Sequence, residues 1–140
     1  MLTVGDEFPQ FSVQACTGTE KEDIKLLTSA DYSGKWTVFF FYPKDFTFVC
    51  PTELAEFNKQ LKSFSDRDTS VVGGSTDNEW CHMMWRRSHA DLKELAYPLI
   101  AAQKLAAELG ILEQTEGYCQ RATFIVDPNG VIQWVDVNQG

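Results

Sequence analysis

A chain of 140 residues can bury one core of useful size but is too short for two ordinary domains. A hydrophobic fraction of 44%, with ten Phe and four Trp, excludes a disordered tail protein. The 20 acidic residues outnumber the 12 basic ones, and the formal net charge of −8 disfavours a nucleic-acid partner.

No apolar run approaches the length of a membrane span, so no membrane partner is expected. Met1-Leu2-Thr3-Val4-Gly5-Asp6 lacks the basic-then-apolar order of a signal peptide, and the expected location is cytoplasmic. Cys16, Cys50, Cys81 and Cys119 form neither a C-x-x-C pair nor a metal-ligand spacing. In a reducing compartment they should rest as thiols.

Residues 1–35 read as an entry segment of short β-like pieces punctuated by Gly5, Pro9, Gly18 and Gly34, with Phe11-Ser12-Val13-Gln14 alternating among them. Glu20-Lys21-Glu22-Asp23 reads as a charged turn whose role is solvation. The continuous apolar run Thr37–Tyr42, between Trp36 and Pro43, suits a strand buried on both faces. Over 52–64, Leu54, Phe57, Leu61 and Phe64 recur at helical spacing, with Glu56, Asn58, Lys59 and Lys62 on the other side. Val71–Ser75 reads as a second strand. Strand, helix and strand in this order predict a βαβ unit, a parallel pair with a right-handed crossover.

Thr76-x-x-Glu79 has capping-box spacing and predicts a helix running to about His89. Tyr97-Pro98-Leu99-Ile100 reads as a short strand or the approach to one. A helix from about Gln103 stacks Leu105, Ala106 and Leu109 and stops at Gly110. Thr123–Val126 and Val131–Val137 are β-rich and flank the turn Asp127-Pro128-Asn129-Gly130, which predicts an antiparallel hairpin. The order implies an α/β fold, a mixed β-sheet flanked by helices.

Chemistry concentrates where the first apolar strand delivers Cys50 to the start of a helix. Unpaired N–H groups and the macrodipole at a helix N-terminus favour negative charge. Pro51 suits the first helical position and would leave Cys50 at the cap. A free thiol titrates near ~8.5, and such a setting lowers that to about 3.5–7.5.

Pro43-x-x-x-Thr47-x-x-Cys50 resembles the active-site signature of the peroxiredoxins, and Phe-Thr-Phe-Val-Cys-Pro-Thr-Glu is similar to their AhpC/thioredoxin peroxidase branch. The resemblance continues from Val4-Gly5-Asp6, Phe8-Pro9 and Phe11, through Ser75-x-Asp77, His82 and Trp85, to Arg121-Ala122-Thr123-Phe124-Ile125-Val126-Asp127. It implies a thioredoxin-like fold over residues 1–140 and reduction of hydroperoxides by a thiolate, with no metal, haem, flavin or other cofactor. Cys50 would be the nucleophile, Thr47 would orient the peroxide, and Arg121 would lower the thiol pKa and hold the peroxide oxygens. Pro43 would shield the thiolate from water. Two roles stay open for Glu53: orienting Arg121, or serving only as a first-turn acid favoured by the helix dipole. The family usually places Ser or Asp where this chain has Ala101-Ala102, a missing cap that should cost about 1 kcal/mol.

The chain departs from the family pattern after Asn138-Gln139-Gly140, before the C-terminal helix and its resolving cysteine. Cys16, Cys81 and Cys119 match no resolving position; each reads first as a packed thiol, and a resolving role stays open for any of them, with Cys119 two residues before Arg121 and Cys81 in a core or interface cluster. His82 and His89 lack metal-ligand company and read as packing or surface residues. The reductant would be thioredoxin-like, AhpF-type or AhpD-type. The family's final strand pairs across a two-fold axis, which implies a homodimer, with a larger ring depending on contacts near Phe46 and Phe48. Two other readings are a thiol–disulfide oxidoreductase, disfavoured because Cys50 has no partner cysteine two residues away, and a non-turnover holdase or interaction module.

Overall fold

The structure, a computed structural model, describes residues 1–46 and 50–138, with the side chains of 50–52, 62 and 65 excepted. Its elements are β1 (Ser12–Cys16), β2 (Ile24–Thr28), β3 (Trp36–Phe41), α1 (Cys50–Lys59), α2 (Leu61–Asp66), β4 (Thr69–Ser75), α3 (Glu79–Ser88), β5 (Leu99–Ala101), α4 (Gln103–Leu109), β6 (Arg121–Val126) and β7 (Ile132–Asn138). The strands form one seven-stranded mixed sheet in the order β2-β1-β5-β4-β3-β6-β7. As the sequence predicts, β3 and β4 pair in parallel, and β6 and β7 form an antiparallel hairpin.

Each face of the sheet carries a core. Phe39 and Phe41 of β3 join Phe8, Phe124 and the α4 residues Leu105, Ala106 and Leu109 on one side. Val38, Phe40 and Tyr42 join Leu54 of α1 and Trp85 of α3 on the other. The period-2 alternation of β3 thus feeds both cores, which explains why its sequence is apolar throughout. Gly73 and Gly74 make this packing possible. A Cβ at Gly73 would lie 2.8 Å from the Phe40 ring, and one at Gly74 would lie 2.7 Å from Ile100.

Three local readings are corrected. The helix expected over 52–64 is divided into α1 and α2 at Gln60, although Phe64 N still donates to Gln60 O at 3.2 Å. The cap of α3 is Asn78, whose side-chain oxygen accepts from Cys81 N at 2.8 Å, and not Thr76. Asn78 immediately precedes the helix, where a side-chain acceptor reaches the N3 amide. The turn at Glu20–Asp23 does more than meet solvent. Asp23 Oδ2 accepts from Glu20 N, Asp23 O accepts from Thr17 N and Oγ1, and Glu20 meets Arg87 at 3.3 Å. The expectations for the ends of α4 hold: Ala102 caps it without a side-chain bond, and Gly110 ends it in the left-handed region at φ 78°.

Candidate active site

The site lies at the C-terminal end of β3. β6 runs antiparallel beside β3, with Phe41 opposite Ala122, so Arg121 stands next to the point where the chain leaves the sheet. The backbone of Cys50 opens α1, one position inside the expected cap. Glu53 follows in the first turn, on the side facing Arg121. Arg121 Nη1 donates to Glu53 Oε2 at 2.6 Å, a short charge-assisted bond between side chains 21% and 42% exposed. Glu53 thus contacts Arg121 and is at the same time the acidic residue of the first turn of α1.

Pro43, Lys44, Leu112, Tyr118, Gln120 and Arg121 line a cleft of about 700 Å³. Lys44 Nζ lies 5.1 Å from the centre of the Tyr118 ring, a cation–π approach at the cleft wall. Pro43 and Arg121 therefore share one cavity. Thr47 and the side chain of Cys50 lie outside the described residues.

Beneath the segment that leaves β3 is a buried polar network. Tyr42 Oη donates to Asp45 Oδ1 at 2.7 Å, and His82 Nδ1 lies 2.6 Å from Asp45 Oδ2. His82 Nε2 meets Ile100 O at 2.9 Å. Asp45 N donates to Asp77 Oδ2 at 2.7 Å, and the same oxygen accepts from Ser75 Oγ at 2.7 Å. Burial, then Asp45, pushes the Tyr42 phenol well above its ordinary pKa, which keeps it a donor.

Sequence reasoning singled out neither Tyr42 nor Asp45, and it assigned His82 only to packing or the surface. The available signal was a carboxylate three residues after Tyr42 and just before Phe46, and a lone His within an apolar helical cluster. Asp45, Asp77 and Cys81 bring potential ligand atoms within 4.8 Å of one another, but Asp45 and Asp77 already accept the hydrogen bonds above.

The described thiols are free, and each is pushed up in pKa by burial. Cys119 is fully buried and raised to about 12, with Asp77 adding to the effect. Cys81 is raised to about 12 by burial and then by Asp45 and Asp77. Cys16 is raised mainly by burial and donates to Gly18 O at 2.9 Å. Cys16 and Cys119 are packed thiols, whereas Cys81 is only partly buried.

The family model described as AhpC/TSA matches residues 4–135. Alkyl hydroperoxide reductase C of Mycolicibacterium smegmatis is 48% identical, over 100% of this chain and 77% of that protein. Thioredoxin peroxidase of Fasciola hepatica is 38% identical, over 99% of this chain and 72% of that protein. The solved structure of Mycobacterium tuberculosis AhpC, 42% identical, superposes with a TM-score of 0.91 over 100% of this chain and 84% of that one. The chain belongs to the AhpC/TSA family of thiol-dependent peroxidases and carries its thioredoxin-like fold.

Proposed function

We propose that Cys50 is the peroxidatic thiol, with Thr47 orienting the peroxide, Arg121 stabilising thiolate and oxyanion, Glu53 aligning Arg121 and Pro43 excluding water. The observation that carries this reading is the 2.6 Å Arg121–Glu53 bond in the first turn of the helix that Cys50 opens. A guanidinium fixed there, together with the helix N-terminus, favours a thiolate and places donors where charge develops.

The thiolate attacks the terminal oxygen of a hydroperoxide. An S–O bond forms, the O–O bond breaks, and its electron pair leaves on the distal oxygen, which takes a proton to depart as water or alcohol. Cys50 is oxidised to sulfenic acid and the peroxide is reduced. Two electrons from an external thiol reductant of the thioredoxin, AhpF or AhpD type return Cys50 to the thiol. Cys16, Cys81 and Cys119 are all raised in pKa and so present little of the nucleophilic thiolate form at neutral pH.

Hydrogen peroxide and organic hydroperoxides are the proposed substrates, in keeping with the relatives' names. A cytoplasmic location fits the free thiols, and cell fractionation checks it. A homodimer formed through β7 is also proposed. It is supported by the position of β7 at one edge of the sheet and by Trp134, 48% exposed on it. Sedimentation should detect dimer, and monomer at high concentration would remove that part.

The test of the catalytic assignment is rapid mixing of the reduced chain with hydrogen peroxide, followed by mass spectrometry. Sulfenic acid should form on Cys50 far faster than on free cysteine, and Cys50→Ser should abolish it. Equal rates for the two chains would overturn the assignment.

A further inference from the structure

We propose that Asp45 and His82 form a positioning couple that holds Asp45 and Phe46, on the segment leading to Cys50, in the place the reaction needs. This rests on the peroxidase reading above and names residues that reading does not use. Asp45 is fixed from three directions. Its N–H is bound by Asp77, one carboxylate oxygen by Tyr42 and the other by His82. The anchors belong to different elements: Tyr42 follows β3, Asp77 follows β4 and His82 lies on α3. His82 is anchored in turn to the β5 carbonyl of Ile100.

The next residue, Phe46, has φ 62°. A bulky side chain there is a true backbone outlier, of a kind that persists only where the surroundings over-determine it. The three bonds to Asp45 supply that constraint, together with the Phe46 ring lying 6.2 Å from Trp85. Cys50 is four residues further on.

Donor counting turns this into a pattern that can be checked. Ile100 O can only accept, so His82 Nε2 carries a hydrogen. The 2.6 Å contact between Nδ1 and Asp45 Oδ2 must then hold one proton, on either partner. An asparagine at 45 keeps every link: its oxygen accepts from Tyr42, and its NH₂ donates to the free Nδ1 of a neutral His82. An alanine at 45 keeps none of the side-chain links. A glutamine at 82 is one amide with its donor and acceptor on a single short fork, and it cannot span both Asp45 and Ile100 O.

The experiment compares wild type with Asp45→Asn, Asp45→Ala and His82→Gln, at a temperature where circular dichroism finds each folded. Two rates at Cys50 are read by mass spectrometry: oxidation by hydrogen peroxide, and alkylation by iodoacetamide at a pH where the thiol is ionised. Alkylation needs an accessible thiolate but no aligned peroxide pocket. The expected result is a peroxide rate at least about tenfold lower in Asp45→Ala and His82→Gln, with alkylation within about twofold of wild type and Asp45→Asn within about threefold on both. A merely structural role would lower melting temperatures and leave the ratio of the two rates unchanged, which would overturn the proposal, as would an Asp45→Asn as slow with peroxide as Asp45→Ala. If wild type itself reacts with peroxide no faster than free cysteine, the peroxidase reading fails, and the couple falls with it.

Discussion

His82 and Arg86 stand one turn apart on the same face of α3, and both are fully buried, yet they are satisfied in different ways. His82 meets a carboxylate, and that carboxylate belongs to the segment leading to Cys50. Arg86 donates to main-chain carbonyls: Cys16 O at 2.8 Å, Leu95 O at 2.6 Å and Tyr97 O at 3.4 Å. Its Nε has no hydrogen-bond partner among the described residues, and burial lowers its pKa from the ordinary value. A cation held by carbonyls ties the scaffold together, here joining α3 to the end of β1 and to the chain entering β5. A ring paired with a side-chain carboxylate can instead transmit a change to the segment that bears it. One helix therefore carries a structural staple and, one turn before it, a functional one.

The largest expected effect breaks the scaffold side. Arg86→Ala would remove the guanidinium that donates to three buried carbonyls, each bond worth roughly 1–3 kcal/mol, and urea unfolding should record a loss of about 3 kcal/mol or more. The fraction that stays folded should react with peroxide within about threefold of wild type. A smaller free energy, but a larger kinetic change, is expected at the site. Arg121→Gln should slow Cys50 oxidation on the order of 10²-fold, as removal of an oxyanion donor does elsewhere. Its unfolding free energy should move by less than about 1 kcal/mol, because the pair with Glu53 is partly exposed. Glu53→Gln should slow the same step in the same direction but less, since the guanidinium remains.

The smallest effect sharpens the contrast between Asp45 and a carboxylate at the surface. Asp127 accepts from Asn129 N, Val131 N and Gln133 Nε2 within its own hairpin, and these bonds, the one to Val131 foremost, hold its pKa below the usual carboxylate range. A lowered folded pKa means stability that is full above the unfolded value and lost as pH falls through the folded one. The melting-temperature difference between wild type and Asp127→Ala should therefore be small, constant above about pH 5, and shrink below about pH 4. The peroxide rate should not change.

What was legible in the sequence follows the same division. The β6–β7 hairpin and the stop of α4 at Gly110 rest on residues within a few positions of one another, and period and turn chemistry reveal them. Cys50 at the start of α1 was legible for the same reason. The choice of Asn78 over Thr76 as cap turned on two positions that both present a suitable oxygen, and spacing alone favoured the wrong one. Asp45 and His82 are 37 residues apart and meet only because β3, β4 and β5 are neighbours in the sheet. Arg86 binds Cys16 O across 70 residues, and nothing local marks a buried arginine. Glu53 and Arg121, 68 residues apart, were within reach only through the family resemblance.

The most direct measurement of the central claim is the pKa of Cys50, read from the pH dependence of its alkylation in wild type and in Arg121→Gln. A thiolate favoured by the start of α1 and by Arg121 should titrate at about 3.5–7.5, and the variant should titrate higher. A wild-type value near ~8.5 that Arg121→Gln leaves unchanged would mean that neither the helix nor the guanidinium activates the thiol, and it would contradict the account.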